Sequence, residues 1–140
     1  MAHKALPFVL IVDDAVHQRK LYQIIADRIG IAVQLAGDAG EALNYIDTMT
    51  FELILTDWVM PDLDGLTLAS VIRQRLIARG ERVPPIVCVT AKALEGDRAH
   101  VLQAGLDDYL AKPFSLEQLK EMIDKWLPSA CKREHETENR

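Results

Sequence analysis

Residues 8–14, Phe-Val-Leu-Ile-Val-Asp-Asp, hold five apolar side chains and then two acids. The run is short and carries no polar alternation, so it suits a strand covered on both faces rather than an amphipathic helix. An abrupt change from apolar to acidic at its end marks where the chain leaves a core.

The same grammar repeats along the chain. Short apolar or turn-bounded runs predict further strands at Ala32 to Ala36, Leu53 to Thr56, Ile86 to Thr90 and Asp107 to Leu110. Between and after them, helical periodicity predicts helices over Val16 to Ile29, Ala39 to Met49, Gly65 to Arg79, Leu94 to Ala104 and Leu116 to Leu127. Gly30, Gly80 and Gly105 stand where helices should stop. Five strand–helix units in strict alternation predict an α/β domain, a doubly wound (βα)5 parallel sheet with helices on both faces. The final helix has the clearest signals: Ser115 and Gln118 form a capping-box pattern, and Leu116, Leu119, Ile123, Trp126 and Leu127 recur on one stripe that should pack on the sheet. Asp38 with Glu41 gives a similar start signal for the second helix.

The 140 residues, 49% of them hydrophobic, suffice for one covered core and leave no room for a second domain. The domain is expected to occupy residues 1–128, with its core at about 8–127. The polar stretch 129–140, which has no apolar period, is expected to be a tail or linker stub. A net charge of -5 with scattered basic residues argues against direct nucleic-acid binding. No apolar stretch approaches the ~20 residues a bilayer requires, and the first residues lack the apolar core of a signal peptide. A soluble cytoplasmic chain without membrane insertion is expected, and the two cysteines, Cys88 and Cys131, form no metal-ligand pair or disulfide framework.

In open parallel sheets ligands gather beyond the carboxyl ends of the strands. There the sequence places Asp13 and Asp14 after the first strand, Asp57 after the third, Thr90 at the end of the fourth, and Lys112 with Pro113 after the fifth. Carboxylates ~4 Å apart repel by roughly 4 kcal/mol per pair at an effective dielectric near 20, so the cluster calls for a cation. All-oxygen donors without nearby His or Cys favour Mg2+. A carboxylate can attack phosphorus to form an acyl phosphate if positive charge offsets the transferring group, a duty that suits Mg2+ and Lys112. Thr90 can donate a hydroxyl hydrogen bond to a phosphoryl oxygen. Standing alone, each residue has a plainer reading: Asp13 and Asp14 as helix-terminus acids, Thr90 as a strand residue, Lys112 as a solvated lysine. Their convergence on one edge favours the site.

Four fragments carry a resemblance to the receiver domains of two-component signalling: Ile-Val-Asp-Asp at 11–14, Asp-Trp-Val-Met-Pro-Asp-Leu-Asp-Gly at 57–65, Val-Thr-Ala at 89–91 and Lys-Pro-Phe at 112–114. The resemblance spans residues 8–127 and implies the flavodoxin-like strand order 2-1-3-4-5. It also implies Asp57 as phosphoacceptor, Asp13, Asp14, Asp57 and the Val59 carbonyl as Mg2+ ligands, and Thr90 and Lys112 on the phosphoryl group. Thr90 and Tyr109 would then form the switch pair, and the Lys112–Pro113 bond would be cis. Implied partners are a histidine kinase or histidine phosphotransfer protein and a downstream effector protein. The stretch from Thr90 to Pro113 resembles receivers of hybrid sensor kinases in particular, which implies a phosphorelay role.

Val59 and Lys92 depart from the chemotaxis-type pattern, and in receivers their positions influence the lifetime of the acyl phosphate; Val59 cannot orient an attacking water, and Lys92 either reaches the phosphoryl group or sits in solvent. Asp62, Asp64 and Gly65 are expected to form a turn, Trp58 to pack, and His17 and His100 to be solvated; His3 and His135 are terminal. A phosphatase of the haloacid dehalogenase type would want an acid where Val59 stands, and a pseudo-receiver would lack part of the acid cluster.

Overall fold

The computed structural model describes residues 8–92 and 94–127. His3, Cys131, His135 and the polar stretch 129–140 lie outside the described residues. The element order is β1 (Phe8–Val12), α1 (Val16–Ile29), β2 (Ala32–Ala36), α2 (Ala39–Thr48), β3 (Leu53–Thr56), α3 (Gly65–Ala78), β4 (Ile86–Thr90), α4 (Asp97–Gln103), β5 (Asp108–Ala111) and α5 (Leu116–Trp126). All strands pair in parallel in the order β2-β1-β3-β4-β5. The order reverses beside β1, so a crevice opens beyond the carboxyl ends of β1 and β3.

Side chains of a strand alternate between its two faces, and here both faces are dry. Leu10, Val12, Ile54, Ile86 and Cys88 point into a layer shared with α2 and α3, where Ala42, Ile46, Leu68, Ile72 and Leu76 meet them. Val9, Ile11, Leu53, Leu55, Val87 and Val89 point the other way, into a layer built with Tyr22, Ile25 and Ala26 of α1 and Leu119 and Ile123 of α5. This double burial explains why β1, β3 and β4 read as continuous apolar runs. The stripe on α5 packs as its spacing predicts.

Helix ends follow local chemistry. Gly30 caps α1 with left-handed backbone at φ 80, and its N–H reaches the Ala26 carbonyl. Ser115 and Gln118 make the reciprocal capping box of α5. Asp38 caps α2 by accepting from Glu41 N, while the Glu41 carboxylate turns back to Gly37 N at 2.7 Å.

Two element starts differ from the sequence reading, and the ends of α2, α3, α4, β5 and α5 each differ by one residue. α4 begins at Asp97 rather than Leu94, because Gly96 takes φ 90 and the Asp97 carboxylate ties back to Leu94 N at 2.7 Å, making the intervening residues a turn. β5 begins at Asp108 rather than Asp107. Asp107 instead brackets the start of β4, its N–H donating to the Ile86 carbonyl and its carboxylate accepting from Ile86 N.

Candidate functional site

At the end of β1 the chain turns through Asp13 and Asp14 into α1. The α1 cap residue is Ala15, with no side-chain cap bond, so the two acids do not serve as the helix cap. Asp13 is 1% exposed. Its Oδ1 accepts from Ala15 N at 3.0 Å and its Oδ2 from Lys112 Nζ at 2.7 Å. Asp14 is exposed.

Asp57 follows β3, anchored by its N–H to the Val12 carbonyl at 2.9 Å. Both of its carboxylate oxygens are engaged: Oδ1 accepts from Trp58 N at 2.7 Å and Oδ2 from Lys112 Nζ at 3.0 Å. One lysine therefore bridges two acids that lie far apart in sequence. Carboxylate oxygens of Asp13, Asp14 and Asp57 all lie within 4.8 Å of one another. Three negative charges against one ammonium leave an excess that matches a divalent cation, and the donors are all oxygen.

Lys112 reaches this point from the loop after β5. Its N–H donates to the Thr90 carbonyl at 2.9 Å, and the peptide bond to Pro113 is cis, as the resemblance implies. The side chain is only 11% exposed. Burial works against its charge, but hydrogen bonds from the ammonium to Asp13 and Asp57 and the charges of those acids outweigh it, so its pKa is raised above the ordinary lysine value. Burial and the nearby Asp57 charge push the Cys88 thiol up to about 12, which leaves it inert. Burial, followed by the charges of Asp13 and Asp57, likewise raises Tyr22.

Thr90 ends β4 and is buried, its hydroxyl accepting from Lys92 N at 3.2 Å. Tyr109 is half-buried and donates its hydroxyl to the Lys92 carbonyl at 2.5 Å. Val59 lies in the loop after β3 with its side chain exposed. Asp64 caps α3 through Thr67 N, and Asp62 accepts from Ala39 N, consistent with their reading as turn residues.

Several residues around the site escaped the sequence reading. Arg19 holds the β1–α1 turn by donating to the Asp13 carbonyl at 2.8 Å. Gly65 does more than turn the chain: a Cβ there would overlap the Asp57 carbonyl oxygen, and its N–H donates to the Trp58 carbonyl at 2.7 Å. A glycine opening a helix right after the acidic loop was the available signal. Lys92 and His100 are not simply solvated. The Lys92 ammonium lies 4.0 Å from the Trp58 ring centroid, and the His100 ring meets Trp58 edge-on at 5.1 Å. Trp58 is nonetheless the packing residue it was expected to be. Asp108, also missed, is a buried carboxylate that accepts from Tyr109 N, Lys125 Nζ, Trp126 Nε1 and, at 3.5 Å, Arg98 Nη2. It fastens β5 to α4 and α5. Among the described residues, no helix is long and apolar enough to cross a membrane.

Comparison with known proteins gives one family. Residues 9–124 match the family model of the response regulator receiver domain. The sensor histidine kinase GacS of Pseudomonas protegens is 37% identical over 91% of this chain, which spans only 14% of that relative's length. The receiver domain of a sensor histidine kinase from Pseudomonas aeruginosa, solved with a magnesium ion in its active-site cleft, is 35% identical with a TM-score of 0.76, covering 87% of this chain and 98% of the other. A receiver domain from Saccharomyces cerevisiae, solved with the histidine phosphotransfer protein upstream of it, is 31% identical with a TM-score of 0.78, covering 88% of this chain and 91% of the other. The sheet order, the acids and lysine gathered at its carboxyl edge and the match over residues 9–124 agree, and the chain belongs to the response regulator receiver family of two-component signalling.

Proposed function

We propose that Asp57 accepts a phosphoryl group from a phosphohistidine of a histidine kinase or histidine phosphotransfer protein. The observation that carries this reading is the Lys112 ammonium shared between Asp13 and Asp57 beside Asp14. An Asp57 oxygen attacks phosphorus, the P–N bond breaks as the O–P bond forms, and the departing imidazole nitrogen keeps the electron pair. Lys112 stays charged and offsets the incoming negative charge, while Trp58 N fixes the other Asp57 oxygen. Thr90 supplies a hydroxyl to a phosphoryl oxygen, and Thr90 with Tyr109 forms the switch pair.

Asp13, Asp14, Asp57 and the Val59 carbonyl are the residues that would hold Mg2+. When bound, the ion neutralises charge developing on the phosphoryl oxygens. The all-oxygen donor set and the excess of negative charge support this, as does the magnesium in the cleft of the Pseudomonas aeruginosa relative.

The switch changes affinity for a partner or passes the phosphoryl group on in a phosphorelay. Similarity to sensor histidine kinases and to a receiver bound to a phosphotransfer protein favours the relay. We place the receiver at residues 1–128, with 129–140 as a tail or linker stub, and the whole in the cytoplasm with slow loss of the phosphoryl group. At the position where a haloacid dehalogenase-type phosphatase needs an acid, Val59 offers none.

The test is intact-mass measurement after incubation with a small acyl phosphate and Mg2+. The expected result is gain of one phosphoryl group that is acid-stable, base-labile, absent without Mg2+ and absent in Asp57→Asn. A chain that gains none, or one whose Asp57→Asn variant gains as much, overturns the proposal.

A further inference from the structure

Residue 92 is a junction. Its N–H donates to the Thr90 hydroxyl at 3.2 Å, its carbonyl accepts from the Tyr109 hydroxyl at 2.5 Å, and its ammonium sits between the Trp58 ring, 4.0 Å from the centroid, and Asp97 Oδ1 at 3.3 Å. These partners are not incidental. Trp58 directly follows Asp57 and donates its backbone N–H to the Asp57 carboxylate. Asp97 is the first residue of α4 and fastens that helix's entry turn through Leu94 N. A single side chain thus ties the neighbour of the proposed phosphoacceptor to the start of α4.

We propose that Lys92 is a second cation for the phosphoryl group on Asp57, held in the resting state on Trp58 and Asp97, and that its transfer releases the start of α4. The inference rests on the reading of Asp57 as phosphoacceptor and deepens it. Charge decides the direction. The resting grip is weak, because the Lys92 side chain is 43% exposed and such ion pairs contribute little. A phosphoryl group adds a charge of roughly −1.5 to −2 and three strong acceptor oxygens, against the single charge of Asp97. The same event withdraws a second hold, since a Thr90 hydroxyl that turns to a phosphoryl oxygen reorients the acceptor that now binds Lys92 N. Among the described residues, the hydrogen bond that the Asp97 carboxylate then keeps is the one from Leu94 N, and the turn that opens α4 loosens.

The decisive experiment is NMR on the isotopically labelled chain in Mg2+, with and without beryllofluoride as the phosphoryl mimic. In the resting state the Lys92 ε-methylene protons, next to the ammonium that sits over the indole, should resonate upfield of an ordinary lysine. The mimic should return them to the ordinary position, along with shifts at Thr90 and at the first turn of α4. Lys92 protons that stay upfield while the Asp57 and Thr90 amides shift saturably overturn this inference and leave the phosphoacceptor reading intact. Absence of any saturable response overturns both. Asp97→Asn supplies a second readout, because asparagine keeps the acceptor for Leu94 N and removes the competing charge. It should bind the mimic about two- to fivefold more tightly; equal or weaker binding overturns the inference.

Discussion

Replacing Lys112 with methionine keeps the length of the side chain and removes the charge that holds buried Asp13 and half-buried Asp57 together. The contacts broken are at 2.7 Å to Asp13 and 3.0 Å to Asp57. At an effective dielectric near 20 each is worth roughly 5 to 6 kcal/mol of gross attraction. Most of that is offset in the native protein by the cost of burying the ammonium. What the variant cannot escape is the repulsion among carboxylates within 4.8 Å of one another. Removing one partner of a buried ion pair costs about 3–5 kcal/mol, and the partial exposure of Asp57 lowers that. The expected destabilisation at neutral pH without divalent ions is therefore about 2 to 4 kcal/mol, a fall in Tm of roughly 8 to 16 °C. Urea unfolding of both chains at pH 7.5, with and without Mg2+, measures it. Mg2+ should stabilise the variant more than the parent. A Lys112→Met chain as stable as the parent at pH 7.5 without metal would refute the claim that this lysine compensates the acid cluster.

The remaining predictions concern the same edge and its supports. The raised pKa of Lys112 means that its contribution to stability is complete below the unfolded lysine value near 10.5 and is lost as pH rises through the higher folded value; the gap between parent and Lys112→Met in urea should therefore hold to about pH 10 and close above it. Gly65→Ala forces a methyl group against the Asp57 carbonyl, so it should cost roughly 1–3 kcal/mol in urea and slow phosphoryl acceptance in the intact-mass assay. Gly40→Ala, whose added Cβ meets only the Asp38 side chain at 3.5 Å, should instead stabilise the fold by about 0.4–1 kcal/mol. Burial opposes the charge of Asp108, but its hydrogen bonds from Lys125, Tyr109 and Trp126 prevail and lower its pKa. Its stabilisation is present above the unfolded carboxylate value and lost as pH falls through the folded one. Asp108→Ala should cost about 2–3 kcal/mol at pH 7 and less near pH 3, as measured by urea unfolding.

Strands β1, β3 and β4 were legible because they are buried on both faces. A run such as Leu53 to Thr56, with every residue buried, announces itself by composition alone. The acids and Lys112 were legible for a related reason: charge directly after an apolar strand is costly unless it has a partner, so its position was informative. Contacts made across the fold by residues that look ordinary in sequence were not legible. Arg19 and Asp108 drew no role from the sequence, and Lys92 stood out only as a departure from the pattern; only the packing of α1, α4 and α5 shows what they hold. The start of α4 was misjudged because an apolar leucine and a good helix former at Glu95 outweighed Gly96 in the periodicity, while the side-chain bond from Asp97 that stabilises the turn depends on a backbone conformation that no pattern of residue types encodes.

The charges at the carboxyl edge also explain why folding and signalling should be coupled here. Asp13 and Asp57 share one lysine with Asp14 close beside them, so the fold carries an excess of negative charge just beyond the ends of β1 and β3. Anything that adds positive charge stabilises the folded chain by binding it and not the unfolded chain. A phosphoryl group does the opposite unless cations accompany it. Among the described residues, the one ammonium on Asp57 is also holding Asp13, so it cannot answer the new charge fully without loosening its grip there. The demand for a further cation is therefore built into the resting arrangement, and Lys92, half-exposed and weakly held, sits against Trp58, the sequence neighbour of Asp57. In this reasoning the device that accepts the phosphoryl group and the device that moves α4 are one charge balance, read at two ends of the same side chain.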